Sequence, residues 1–206
     1  MLNAVRNIGS FPKGVIFTLC AAIFWGSMAV AAQAVMANGV VNAGALVIVR
    51  LCSSGGLLLL WCCITARNEI VKIFTSWTNF RDVLFGAVFI YGGQFAFMLA
   101  IHYSNAGAAA IVLTTVPLWV ALWEMIVNRS KPSPRMVICF LLAAVGVTLI
   151  VTKGEFDVSQ FNLTGLTWAI ICAVMTAGYS VQPRQLLKRV AVMPVMGSAM
   201  LFGGLM

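Results

Sequence analysis

Several residues in this sequence carry polar groups or break helices while standing within long apolar runs. The candidates for a functional role are Trp25, Arg50, Gln94, Thr114, Pro117 and Tyr179. Polar side chains are costly within a membrane and often mark a substrate or ion pathway. A proline removes one backbone donor and frees a carbonyl of the preceding helical turn. These residue types indicate non-covalent binding of a small molecule, and helix packing is the alternative that they leave open.

Depth along the predicted helices decides which of these groups can meet. Trp25, Gln94 and the stretch 114–117 fall near half depth of their apolar runs. Thr176 and Tyr179 come close to the same level. In membrane carriers built from repeats, substrate sites lie near this level. We therefore predict that these residues form the wall of a substrate pathway.

Two charged residues lie within apolar runs at opposite depths. With about 1.5 Å of rise per residue, Arg50 lies roughly 10 Å from the outer end of its run. By the same rise, Glu124 lies about 6 Å from the inner end of its own run. A hydrocarbon core of about 30 Å then keeps the two charges apart, so no direct ion pair is predicted. Arg50 could bind an anionic substrate group or helix-end carbonyls, and Glu124 is expected to extend to the inner interface.

The residue inventory does not favour an enzyme. The chain has one histidine, His102, and five scattered acidic residues. The six cysteines lie in apolar runs without metal-ligand spacing, so we predict no metal site and no cofactor. Membrane enzymes need a metal cluster, an acidic pair or a nucleophile beside a base. An integral membrane enzyme is kept only as the alternative function from another class.

Composition places the chain in a lipid bilayer. It has 206 residues, of which 62% are hydrophobic and 9% are charged, whereas soluble domains carry about 25% charged residues. A spanning helix needs about 20 mostly apolar residues. Six runs meet that length, and a partial seventh covers 190–206; the six are 14–37, 43–66, 82–103, 106–128, 135–152 and 164–185. We predict an all-α integral membrane protein, a bundle of six spanning helices plus a partial seventh.

The basic residues indicate orientation and not nucleic-acid binding. With a cytoplasmic N-terminus, one basic residue, Lys153, falls in an outer loop, and Arg50 lies within a span. The other basic residues fall in inner segments: Arg6, Lys13, Arg67, Lys72, Arg81, Arg129, Lys131, Arg135, Arg184, Lys188 and Arg189. This bias is the positive-inside pattern of membrane proteins. We predict a multi-pass protein of the cell inner membrane, with the bilayer and a small molecule as partners and no nucleic acid.

The inner segment 68–80 has two interpretations. Ile70, Ile73, Phe74 and Trp77 fall at helical spacing, which is typical of a short amphipathic helix on the inner leaflet. A loop with some apolar residues is the other interpretation.

A weak internal repeat relates the first and sixth apolar runs. Gly14 aligns with Gly165, and Ala22 aligns with Ala173. Such a repeat would contain five helices, and because five is odd the second copy would enter the membrane from the opposite side. Inverted repeats of this kind are common in secondary transporters.

The stretch 99–151 carries a family resemblance. The spacing Ala-x-x-Tyr-x-x-Ala-x-x-Ala falls on Ala100 to Ala109, and a proline follows at Pro117. Together with Trp25-Gly26, Arg50 and the later Ala144-Val-Gly146 run, this order resembles the EamA-like family of the drug/metabolite transporter superfamily. The family's acidic residue after the fourth helix is absent here, where Ser130 stands.

The resemblance implies a secondary carrier or exporter of small metabolites or drugs. Residues 14–152 would form the first five-helix repeat, 153–163 an outer loop, and 164–206 the start of a second, truncated repeat. Because such transporters have two complete repeats, a truncated fragment that does not transport is an alternative. A homodimer that restores a complete helical body is left open.

Overall fold

The computed structural model describes residues 11–39, 41–128 and 163–206, together with isolated positions between 134 and 146. Every regular element in these ranges is helical. Two short 3-10 turns, Gln182–Arg184 and Leu186–Lys188, connect the last two α-helices. In chain order the α-helices are α1 (Phe11–Ala37), α2 (Ala43–Thr65), α3 (Arg67–Thr75), α4 (Trp77–Tyr103), α5 (Ala106–Leu113), α6 (Val116–Asn128), α7 (Leu163–Val181) and α8 (Val192–Leu205).

The helix lengths confirm the all-α membrane class. Five segments are long and apolar enough to cross a bilayer, namely Gly14–Ala37, Ala43–Thr65, Trp77–Tyr103, Ala106–Ile126 and Leu163–Lys188. They match five of the six predicted spans. The remaining predicted span, 135–152, and most of the loop 153–163 lie outside the residues that the structure describes continuously. Helix α8 has 14 residues and is shorter than a span, as expected for a partial seventh.

Apolar side chains cover the outside of the bundle. Phe17 of α1 and Ile64 of α2 are 75% and 84% exposed, respectively. Soluble monomers rarely expose contiguous apolar surface of this kind. Lipid is therefore the solvent for these helix faces.

The segment after α2 forms the short amphipathic helix α3. Ile73 of α3 is fully buried, and Glu69 of α3 accepts hydrogen bonds from Lys72 and from the Ala191 backbone N–H just before α8. These bonds lower the pKa of the Glu69 carboxyl, the Lys72 hydrogen bond contributing most. The amphipathic interpretation is confirmed with one correction. Trp77 belongs to the start of α4 and not to α3, because the chain leaves the helical conformation at Ser76.

The predicted span 106–128 is interrupted near its middle. Helix α5 ends at Leu113, and α6 begins at Val116. Pro117 has no N–H, so the Leu113 carbonyl lacks the donor that would continue the helix. The hydroxyls of Thr114 and Thr115 donate instead to the carbonyls of Ile111 and Val112, both at 2.6 Å.

Helix α4 lies at the centre of the described bundle and packs against α2, α7 and α8. The backbones of α2 and α8 approach each other closely at Gly55. A Cβ atom added at Gly55 would lie 2.5 Å from the Leu201 backbone nitrogen and 2.9 Å from the Gly197 carbonyl oxygen. Only glycine fits at this crossing, since any side chain would occupy the space of the neighbouring backbone.

One end of the bundle, called the basic end below, carries charges that join separate helices. Arg184, just after α7, forms an ion pair with Glu124 near the end of α6. The nearby Gln182 side chain donates to the Asp82 carbonyl of α4 at 2.8 Å. Glu124 thus reaches the bundle end, as its depth predicts, and its partner there is Arg184 and not Arg50.

Candidate substrate cavity

A cavity of about 240 Å³ lies between the helices near half of their length. Helices α1, α4, α5, α7 and α8 contribute to its wall. The lining residues are Trp25, Phe89, Ile90, Gly93, Gln94, Phe97, Leu113, Cys172, Thr176, Tyr179 and Met200. Three of the six predicted candidates, Trp25, Gln94 and Tyr179, therefore share one space, together with Thr176.

A polar contact joins α2 to the cavity wall. The Nη1 atom of Arg50 donates to Oε1 of Gln94 at 2.8 Å and contacts Sδ of Met28 at 3.4 Å. Gln94 lines the cavity, whereas Arg50 and Met28 are not among its lining residues, so the guanidinium group adjoins the wall next to Gln94. The fourth candidate, Arg50, thus reaches the site through Gln94.

Aromatic rings form much of the remaining wall. The ring of Trp25 stacks on Phe97 with centroids 6.1 Å apart, and this contact connects α1 to α4. The hydroxyl of Tyr179 donates to Sδ of Met196 in α8. These contacts hold both rings in place, which gives the cavity a largely apolar surface with a few oriented polar atoms.

The other two candidates, Thr114 and Pro117, lie at the helix break and not on the cavity surface. Leu113, the residue before the break, lines the cavity. Because Pro117 has no N–H, the helical hydrogen bond to the Leu113 carbonyl cannot form at this break. Thr114 and Pro117 therefore act on the cavity only through the backbone that follows the lining residue Leu113.

Comparison with known proteins decides the family. A model of the EamA-like transporter family matches residues 12–152. The chain belongs to the EamA-like transporter family. The resemblance found in the sequence is thereby confirmed, and the chain is a multi-pass membrane protein.

Two relatives illustrate how much of an EamA-like protein the chain covers. It is 30% identical over 202 residues to a Salmonella typhimurium protein described as the uncharacterized inner membrane transporter YicL. The aligned region covers 96% of this chain and 66% of that protein. It is 31% identical over 107 residues to an Archaeoglobus fulgidus protein described as an uncharacterized transporter, covering 52% of this chain and 35% of that protein. The chain spans less than two thirds of the length of these relatives. No solved structure matches it significantly.

Sequence reasoning missed several lining residues of this EamA-like chain. Those on α4 follow from Gln94 by helical spacing, since Ile90 and Phe97 are about one turn away on either side. On α7, Cys172 precedes Thr176 by one turn and Tyr179 follows it. Met200 of α8 has no such signal, because an apolar helix of small and large residues does not indicate which face meets a cavity.

The charges near the cavity are unevenly distributed. Among the described residues, each of the three carboxylates is paired with a cation outside the cavity: Glu69 with Lys72, Asp82 with Arg81, and Glu124 with Arg184. The same part of the chain contains no cluster of three or more His, Cys, Asp or Glu residues that could hold a metal ion. Among the residues described, Arg50 is a charged group that contacts a lining side chain, that of Gln94.

Proposed function

We propose that this EamA-like protein carries small molecules across the cell inner membrane as a secondary carrier or exporter. The observation that carries the proposal is the cavity at half depth, where Gln94, Thr176 and Tyr179 present polar atoms among aromatic rings. Substrate sites of repeat-based transporters are found at this depth. The relatives described as transporters support the same conclusion. Transport and not catalysis is the role we propose, because the family is one of transporters.

The break between α5 and α6 adds support. Irregular backbone is tolerated at membrane depth where protein or a cavity surrounds it, and discontinuous helices frequently flank transporter sites. Here the break follows Leu113, which lines the cavity.

Thiol labelling tests whether the cavity is reached from water. On a background with all six native cysteines replaced, Gln94→Cys should react with a small hydrophilic methanethiosulfonate, because a pathway must admit water and solutes. Leu57→Cys is the control, since Leu57 is 69% exposed on the outer face of α2 and should contact lipid. A thiol in hydrocarbon stays protonated and unreactive. If Gln94→Cys and Trp25→Cys are as inert as the control from both membrane sides, the cavity is not a pathway.

The same labelling measures orientation. We propose that the basic end faces the cytoplasm, because Arg67, Lys72, Arg81 and Arg184 belong to segments at that end. In intact cells, an impermeant maleimide should label Asn38→Cys, between α1 and α2, without permeabilisation. It should label Asn68→Cys on α3 only after permeabilisation. The reverse order of labelling would place the N-terminus outside.

A further inference from the structure

The geometry points to small organic monoanions as the substrate class of the cavity, with the anionic group, a carboxylate, bound by Arg50 and Gln94. This inference rests on the proposed transport function and adds the chemistry of the substrate to it. The apolar part of the molecule would contact the rings of Trp25, Phe97 and Tyr179. The observations that carry it are the charge at Arg50, the orientation of Gln94 and the nature of the remaining wall.

Arg50 is a charge within a membrane span, and among the described residues no carboxylate forms an ion pair with it. It lies on α2 seven residues beyond Ala43, half-buried between Met28 and Gln94. Both of these contacts are with neutral atoms, and no described carboxylate lies within ion-pair distance of its guanidinium. The two remaining acidic residues of the chain, Glu155 and Asp157, lie outside the described residues. A guanidinium in a membrane is costly unless an anion or strong acceptors compensate it.

The contact with Arg50 also orients the Gln94 amide. Because a guanidinium only donates, the atom of Gln94 that it contacts must be the carbonyl oxygen Oε1. The Nε2 amide group of Gln94 then remains as a second donor at the cavity wall. A carboxylate accepts well from a planar guanidinium and from an adjacent amide N–H. An anionic group beside Gln94 would therefore accept a hydrogen bond from this amide, and a guanidinium N–H of Arg50, which adjoins Gln94 from another helix, would be its second donor.

The rest of the wall selects an apolar body of limited size. Most lining side chains are aromatic or aliphatic, and no acidic side chain is among those that line the cavity. Its volume of about 240 Å³ is below the roughly 300–1,000 Å³ usual for drug-sized ligands. A single arginine matches a single negative charge. Organic cations should be excluded, because Arg50 would repel them and no carboxylate among the lining residues would compensate their charge.

The experiment compares three shape-matched probes: phenylacetate as the anion, phenylacetamide as the neutral analogue and phenethylamine as the cation. All six native cysteines are replaced and Thr176→Cys is introduced as the reporter, because Thr176 lines the cavity and is only partly buried, whereas Cys172 is buried. The measurement is the rate at which a small maleimide alkylates the cysteine at position 176. Phenylacetate should slow alkylation in a saturable manner, whereas the amide and the amine should not. The comparison needs no substitution at Arg50, so it does not depend on the folding of a charge variant.

Substitutions of Arg50 then test whether this residue binds the carboxylate of phenylacetate. In Arg50→Met, protection by phenylacetate should weaken by at least about thirtyfold, as when one partner of a desolvated charge pair is truncated. Arg50→Lys keeps the charge and should retain part of the protection. Arg67→Met removes the same charge from the exposed face of α3 and should leave protection unchanged.

The failures of the two proposals are distinguishable. If the cysteine at position 176 is alkylated but phenylacetamide protects it as well as phenylacetate does, or phenylacetate does not protect it, the cavity is accessible and the anion inference is wrong. Unchanged protection in Arg50→Met would also overturn the anion inference. If the cysteine at position 176 is inert without any probe, solutes do not reach the cavity, and both the transport pathway and the anion inference are wrong.

Discussion

Replacing Gly55 with alanine should separate α2 from α8 and destabilise the protein by about 1–3 kcal/mol, the usual range for overpacking. The new Cβ would lie 2.5 Å from the Leu201 nitrogen and 2.9 Å from the Gly197 oxygen. Both are backbone atoms, so the clash cannot be relieved by rotating a side chain. The loss should appear even though alanine favours helices over glycine by about 0.8–1.0 kcal/mol.

The neighbouring Gly56 supplies a matched control for this result. A Cβ at Gly56 meets nothing within 4 Å, so Gly56→Ala should be neutral or slightly stabilising. The measurement is the thermal unfolding midpoint in detergent, followed by tryptophan fluorescence. Equal midpoints for the two variants would show that α2 and α8 do not approach each other as closely as the structure has them.

Filling the cavity should abolish access to it without loss of the fold. Thr176 lines the cavity on α7, and Thr176→Phe would place a benzyl group in the space of about 240 Å³. In the double variant with Gln94→Cys, labelling by the small methanethiosulfonate should fall to the level of the lipid-facing Leu57→Cys control. The reason is steric, because the ring occupies the volume through which the reagent reaches position 94.

The same substitution on the other face of α7 controls for side-chain size. Thr167 is exposed, and its hydroxyl donates to the Leu163 carbonyl within the helix. Thr167→Phe should therefore leave the labelling of Gln94→Cys unchanged. Undiminished labelling in Thr176→Phe would mean that the reagent reaches Gln94 by another route. Both variants should unfold near the temperature of the parent protein.

Helix positions could be predicted well from the sequence because hydropathy is a local property. A bilayer requires about 20 apolar residues for each span, and this length is visible without knowledge of neighbours. The five described spans follow the predicted runs closely. The break at Thr114 and Thr115 was harder to predict from the sequence. Pro117 indicated where a carbonyl would be freed, but the end of α5 at Leu113 depends on the local hydrogen bonds.

Only part of the candidate site could be predicted, because the sequence shows how deep a residue lies along its helix but not which way the helix is rotated. Depth grouped Trp25, Gln94 and Tyr179, and the structure places all three along one cavity, while their role in a substrate pathway stays a prediction. Depth also predicted that Arg50 and Glu124 form no direct ion pair, and in the structure Glu124 forms its ion pair with Arg184. Depth did not indicate that Arg50 would meet Gln94, because that contact depends on which faces of α2 and α4 are turned toward each other.

The sequence by itself determined the membrane class, the number and order of the described spans, the amphipathic segment and the family. These follow from composition, run length and short-range spacing. Only the tertiary structure decided that α8 packs on α2 through Gly55, that Met200 completes the cavity wall and that Arg50 orients Gln94. The physical reason is that lipid satisfies every apolar helix face equally well. Rotation and pairing are therefore set by close packing and a few polar contacts between residues distant in the chain.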